Sequence, residues 1–404
     1  MIRNEVFYIW FQQAVGFYSR LARDIFEKFP SITEIYKCND FSFLGDEKRK
    51  YINRLENKDT SSAFEVLKRC EQLGVRVTGY YDELYPERLK KIPNPPAVLY
   101  SIGDFRKLDE MPCIAIVGTR KMTDYGQETT EKFAYTFSKS GACIISGLAK
   151  GIDTAAHRGA IMADGFTVGV LGNPIGDIYP KENVKAFETL YKRGLVISEL
   201  YPNAPRTRAD FPNRNRIISA LSDAVVIAEA GEHSGALITA HHAISQGKMI
   251  FAVPGAIGAE NAGTNSLIKT GVPAATEPLD VLSPMSLVYP EAIHFYEPSL
   301  TENLRSYGNV IRPKRAEPKK QPKIEKIEEK ESLIIKKEPV IDTLAGDNTE
   351  RILTLLKGPS PLTADEISAR LGIPVSDVMT ELTLMEIDGS VISSIGGRYI
   401  SSKF

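Results

Sequence analysis

The residues with the plainest chemical content lie in one stretch, Arg206-Thr207-Arg208-Ala209-Asp210-Phe211-Pro212-Asn213-Arg214-Asn215-Arg216. It holds four arginines, one carboxylate and one aromatic ring. A guanidinium presents a planar fork of donors that matches a phosphate. A Phe among arginines adds a flat face on which an unpaired base can stack. Paired bases hide their faces, so the combination suits a single strand better than a duplex. The same residues also fit a solvated helix start, and Arg214 and Arg216 equally fit salt bridges within the fold.

A second set of residues repeats one theme. Gly118-Thr119-Arg120, Ser146-Gly147-Leu148-Ala149-Lys150-Gly151-Ile152-Asp153, Gly172-Asn173-Pro174 (with Tyr179-Pro180-Lys181 behind it), Ser234-Gly235-Ala236 and Pro254-Gly255 each follow a short apolar run. Glycine lets an anion approach the backbone, and free N–H groups at a helix start then bind it. Any one of these is equally a tight turn between strand and helix. Five on one predicted edge point to a polyanion or nucleotide.

Other chemistries find little support. There is no G-x-G-x-x-G after the first strand and no G-x-x-x-x-G-K-[ST], so neither an NAD-type dinucleotide nor a P-loop triphosphate is expected. No Ser-His-Asp or metal-ligand spacing stands out, so no catalytic residue, metal or other cofactor is expected. His241 and His242 are adjacent and point to different sides of a helix. His157 follows Asp153 by four, the spacing of a helical i,i+4 pair. The four cysteines, Cys38, Cys70, Cys113 and Cys143, form no C-x-x-C.

The elements that must position these residues follow from the apolar pattern. Short runs at Cys113–Val117, Ala142–Ser146, Thr167–Leu171, Leu195–Ser198, Ala224–Ala228 and Met249–Val253 alternate with helical segments. The runs are apolar at nearly every position, as in strands covered on both faces. Alternation of such strands with helices predicts an α/β fold, an extended Rossmann-like doubly wound parallel sheet. Open sheets of this kind bind ligands beyond the carboxyl ends of their strands, where the glycine turns fall.

The 404 residues suggest two or three domains at roughly 150 residues each. Residues 1–72 read as a small all-α unit, with Pro30-Ser31 separating two helices. Residues 73–300 hold the sheet. Residues 301–346 read as a charged, Pro-containing linker; 312–340 alone carry 10 Lys/Arg, 6 Glu and 4 Pro. Such a segment buries too little to offset its ordering entropy. Residues 347–404 show helix, helix, turn at Leu371-Gly372-Ile373-Pro374, a third helix and a Gly-Gly hairpin, which is a winged-helix pattern.

The formal net charge is −1, which argues against coating nucleic acid by bulk positive charge. The basic groups must act locally. The N-terminus lacks a secretory signal and no run of 18 apolar residues spans a membrane, so a cytoplasmic protein is expected.

The glycine turns and the arginine stretch, together with Ser234-Gly235-Ala236-Leu237-Ile238-Thr239-Ala240, Ala252-Val253-Pro254-Gly255 and Gly263-Thr264-Asn265-Ser266-Leu267-Ile268, closely resemble the DNA-processing protein A family (DprA/Smf). Order and spacing agree over about residues 75–280. The flanking units resemble the family's N-terminal domain of the SAM or helix-hairpin-helix type and its frequent winged helix. The resemblance implies a homodimeric single-stranded DNA-binding protein of natural transformation that protects incoming strands and loads RecA recombinase onto them. By matching position it implies DNA contacts at Arg120, Lys181, Arg208 and Phe211, signature positions at Arg214, Asn215 and Arg216, and phosphate loops at Ser146, Gly147, Ser234 and Gly235. The chain departs from the family at Pro174 and Ala220, where glycines are usual.

Two rival functions meet obstacles in the sequence. A phosphoribohydrolase-like nucleotide enzyme needs a glutamate on the helix Ala236–Lys248, which holds no acid. A winged-helix regulator of duplex DNA needs a basic recognition helix. Val375–Ile387 carries Asp377, Glu381 and Glu386 and no Lys or Arg, and residues 347–404 hold 8 acids against 5 bases. This unit is therefore expected not to grip DNA but to contact protein, and its removal to leave single-strand affinity largely intact.

Overall fold

A computed structural model describes residues 3–103, 106–179, 184–296, 348–358, 361–388, 390–394 and 398–401. The expected linker and the Gly-Gly tip of the hairpin lie outside the described residues.

Eight strands form the main sheet: β1 (Arg76–Gly79), β2 (Val98–Ile102), β3 (Cys113–Gly118), β4 (Cys143–Ser146), β5 (Thr167–Leu171), β6 (Leu195–Ser198), β7 (Ala224–Glu229) and β8 (Met249–Ala252). Their order is β1-β2-β6-β5-β4-β3-β7-β8. β3 to β8 are parallel. β2 pairs antiparallel with β6, and β1 antiparallel with β2, so the expected parallel sheet gains a two-stranded antiparallel edge.

The all-apolar runs are explained by two-sided burial. On β3, Cys113, Ala115 and Val117 pack against Ile217, Ile218 and Leu221 of the helix Asp210–Leu221. Ile114 and Ile116 face the other way, against Phe133 and Phe137 of the helix Asp124–Lys139 and Ala156 of the helix Ile152–Met162. After β3 the chain adds β4, β5 and β6 on one side and then returns to add β7 and β8 on the other. That reversal opens a crevice at the carboxyl ends of β3 and β7, where doubly wound sheets bind ligands.

The helices of residues 4–72 do not keep a core of their own. Phe7, Tyr8 and Phe11 share one apolar cluster with Val98, Tyr100 and Val196 of the sheet. Gln12 donates to the Glu199 carbonyl at 3.0 Å and accepts from the Tyr100 hydroxyl at 2.8 Å. The boundary at residue 72 coincides with the end of the helix Ser61–Gln72. It marks an element and not a break in packing. Ser31 caps the helix Ile32–Lys37 by accepting from the Glu34 N–H, as the Pro30-Ser31 signal anticipates.

The C-terminal unit is a winged helix with its own core of Ile352, Ile367, Val378, Leu382 and Tyr399. Helices Asn348–Leu356, Ala364–Leu371 and Val375–Asp388 pack on a small sheet ordered β10-β11-β9. Those strands are β9 (Leu362–Thr363), β10 (Val391–Ser394) and β11 (Arg398–Ser401). A Thr363/Glu366 capping box starts the second helix, and Gly372 ends it with φ +65°, which favours glycine. Among the described residues, no helix is long and apolar enough to cross a membrane.

Candidate nucleic-acid interface

The crevice between β3 and β7 widens into a groove of about 950 Å³. Its walls come from turns that the sequence marks with glycine. Gly151 has φ +80°, and a Cβ there would lie 2.3 Å from the Thr119 carbonyl. Only glycine lets the turn after β4 pass so close to the turn after β3. That contact sets Thr119 and Arg120 at the groove edge.

Arg120 is exposed, and its guanidinium lies 5.5 Å from the ring centre of Phe211. Phe211 is half-buried and sits over Gly172, where a Cβ would be 2.8 Å from the ring. Tyr179 lies beside it, with ring centres 5.8 Å apart, and carries Arg206 at 5.9 Å. Arg208 and Lys121 are exposed in the same wall. The lead-in to the helix is fixed by Asp210, which accepts from the Thr207 N–H at 2.5 Å, the Thr207 hydroxyl at 3.0 Å and the Tyr18 hydroxyl at 2.9 Å. The N-terminal helical unit thus braces the loop that bears Arg208.

The opposite wall is the turn after β7. Asn215 donates to the Gly235 carbonyl at 3.3 Å, and Ser234 accepts from the Ala236 N–H at 3.3 Å. A Cβ on Gly235 would meet open space. This glycine faces the groove unobstructed, as a backbone contact requires.

Four of the anticipated contacts lie behind the surface. The Ser146 hydroxyl is buried and donates to the Ile116 carbonyl at 2.6 Å. The Gly147 N–H is taken by Asp153 at 3.1 Å. Arg214 is 5% exposed and donates to the carbonyls of Gly147 and Val170. Burial lowers the pKa of this guanidinium to about 10, against the pull of Asp153. Burial likewise raises the Asp153 carboxyl, and Arg214 opposes that rise. Arg216 is 1% exposed and pairs with Glu199 at 2.7 Å, over the face of Tyr18. These residues are struts beneath the groove: a charge this buried needs an internal partner, and both arginines have one. Asp153 therefore serves the turn and Arg214, and not an i,i+4 pair with His157. The His157 Nδ1 instead lies 2.8 Å from the Thr167 hydroxyl. Lys181 lies outside the described residues.

Three further lining groups were not anticipated. Thr383, Leu384 and Glu386 of the third winged-helix helix close one side of the groove. Nothing local signals this contact. The available hint was charge, since this helix carries only acids and the arginine stretch is basic.

The fold and its site define an α/β protein: a doubly wound sheet whose switch-point groove joins guanidinium groups to aromatic faces, with a winged helix appended. The chain matches the DNA recombination-mediator protein A family over residues 76–286 and the DprA winged helix domain over 337–397. It is 30% identical to Protein Smf of Synechocystis sp. over 98% of both chains. It is 40% identical to DNA processing protein DprA of Bacillus subtilis over 48% of this chain and 65% of that one. The X-ray structure of DprA from Streptococcus pneumoniae is similar at a TM-score of 0.59 and 29% identity, covering 70% of this chain and 98% of that one. The chain belongs to the DprA/Smf family of DNA processing proteins.

Proposed function

We propose that the protein binds single-stranded DNA in the groove at the ends of β3 and β7. The observation that carries this reading is the Arg120–Phe211–Tyr179 cluster, with Arg208 in the same wall. Phosphates meet Arg120 and Arg208, an unpaired base stacks on Phe211, and the backbone at Ser234 and Gly235 receives the next phosphate. The family supports the wider role: a cytoplasmic homodimer that protects incoming single strands in natural transformation and hands them to RecA recombinase.

Asp153, at the base of the groove, serves structure. This lining carboxylate accepts from Gly147 and Ala149 and balances Arg214, so it is committed to holding the turn.

The test is a gel-shift comparison of a single-stranded oligonucleotide with its blunt duplex across a salt series. The single strand should bind more tightly, with affinity falling as salt rises. Equal affinity for both would overturn the reading.

A further inference from the structure

The third helix of the winged helix would be its recognition helix in a duplex-reading protein. Here it turns towards its own chain. Thr383, Leu384 and Glu386 stand in the wall of the groove that holds Arg120, Arg208 and Phe211. In its first turn, Asp377 pairs with Arg20 of the N-terminal unit at 3.2 Å. The same helix also packs against the helix Ala236–Ser245, which starts in the groove wall. The helix bears Asp377, Glu381, Glu386 and Asp388 and no base. Its charge is that of the polyanion the groove is built to take.

We propose that the acidic helix Val375–Asp388, docked along one wall of the groove, narrows it and sets like charge against an incoming strand, and that a single strand binds fully only by displacing it. This rests on the single-strand reading above. The occupant is this chain's own C-terminal unit, chosen by charge complementarity. Tyr296 and Asn348 are joined by 51 residues, 297 to 347. At about 3.3 Å per residue such a length of chain can reach well beyond 100 Å, so displacement does not require the main domain to open. On this proposal, removing the unit should raise single-strand affinity, where charge alone led to the expectation that it stays largely intact.

Full-length variants test it without touching the groove. Asp377→Asn and Arg20→Gln change charge in opposite senses, so bulk electrostatics alone would move their DNA affinities in opposite directions. Loss of a docking contact moves both the same way. Each should bind a single-stranded oligonucleotide about twofold to fivefold more tightly than wild type, the range an exposed ion pair supports. The exchange Arg20→Asp with Asp377→Arg restores the pair and should return affinity to the wild-type value. Amide exchange on the wild-type protein gives a second readout: saturating single strand should raise exchange across Val375–Asp388 and on the groove side of Ala236–Ser245. Single variants that bind with unchanged or weaker affinity, or helix exchange that stays level or falls on DNA addition, would overturn the proposal. If the wild type shows no single-strand preference, the functional reading fails instead, so the two failures are distinguishable.

Discussion

Four arginines lie between residues 206 and 216, and they divide evenly. Arg206 and Arg208, in the lead-in before the helix, are exposed, Arg208 in the groove wall and Arg206 over Tyr179. Arg214 and Arg216, one to two turns into the helix, are sealed beneath it against Asp153 and Glu199. The outer pair offers charge to a ligand at little cost, because water still solvates it. The inner pair has given up that hydration, which only internal carboxylates and carbonyls repay. One stretch therefore supplies both the contact surface and the brace that fixes its shape.

The largest effect should come from breaking the brace. Arg216→Ala breaks a buried ion pair and leaves Glu199 without its partner, a loss of about 3–5 kcal/mol. Arg214→Ala strips the donor from the buried Gly147 and Val170 carbonyls and removes the charge that favours the Asp153 carboxylate, at about 1–3 kcal/mol for each group left unsatisfied. Both should lower the urea midpoint sharply. If either variant kept wild-type stability and lost only DNA affinity, the division into outer and inner arginines would be wrong.

Acid should probe the same buried layer. Burial, and then the charge of Arg214, lowers the His157 pKa to about 3, and burial lowers that of His242 to about 4. Unfolded histidine titrates near 6.5, so below that pH the unfolded chain takes up protons that the folded chain refuses. The stability held by neutral histidine is complete above pH 6.5 and is lost as pH falls towards the folded values. His157 alone should account for about 2 kcal/mol between pH 7 and pH 5. Asp153 and Glu199, whose carboxyls are raised by burial, oppose this loss at lower pH. His157→Gln keeps a donor for the Thr167 hydroxyl and should flatten the profile over that interval. An unchanged profile would place the acid sensitivity elsewhere.

Phe211 belongs to the outer layer but carries no charge. Phe211→Ala should weaken single-strand binding by about 1–3 kcal/mol and leave the salt dependence nearly as it was. A large change in salt dependence would mean that the ring acts by holding Arg120 in place and not by stacking a base.

What the sequence disclosed follows the same line. The strands are legible because burial on both faces makes every position apolar. The groove edge is legible because glycine is required where backbones approach, as at Gly151. The winged helix is legible from Thr363, Glu366 and Gly372, whose capping chemistry is local. The inner arginines were legible only as an open choice between ligand contact and salt bridge. Their partners are remote in sequence, with Asp153 some sixty residues from Arg214, and no local rule couples them. One sign was present: Glu199 is a carboxylate placed directly after an apolar strand run, and a charge there needs a partner. The antiparallel edge was missed because a run of four or five residues carries no mark of the direction in which it pairs. Closure of the groove by Leu384 and Glu386 depends on packing between units and leaves no periodicity to read.

The finest test separates the outer arginines from the rest by their counterions. A cation that neutralises one phosphate releases about one condensed counterion from the strand, so its removal lowers the slope of log affinity against log salt by about 0.7. Arg120→Ala and Arg208→Ala should each show that change, with weaker binding at low salt and an unaltered urea midpoint. The double variant should lose about twice the slope, because each guanidinium meets its own phosphate. Arg120 also lies against the Phe211 ring, so Arg120→Lys, which keeps the charge but lacks the planar face, should retain the slope and still bind less well. If Arg120→Lys matched wild type in both respects, Arg120 would act by charge alone, and the outer layer would reduce to a basic edge with one independent stacking ring.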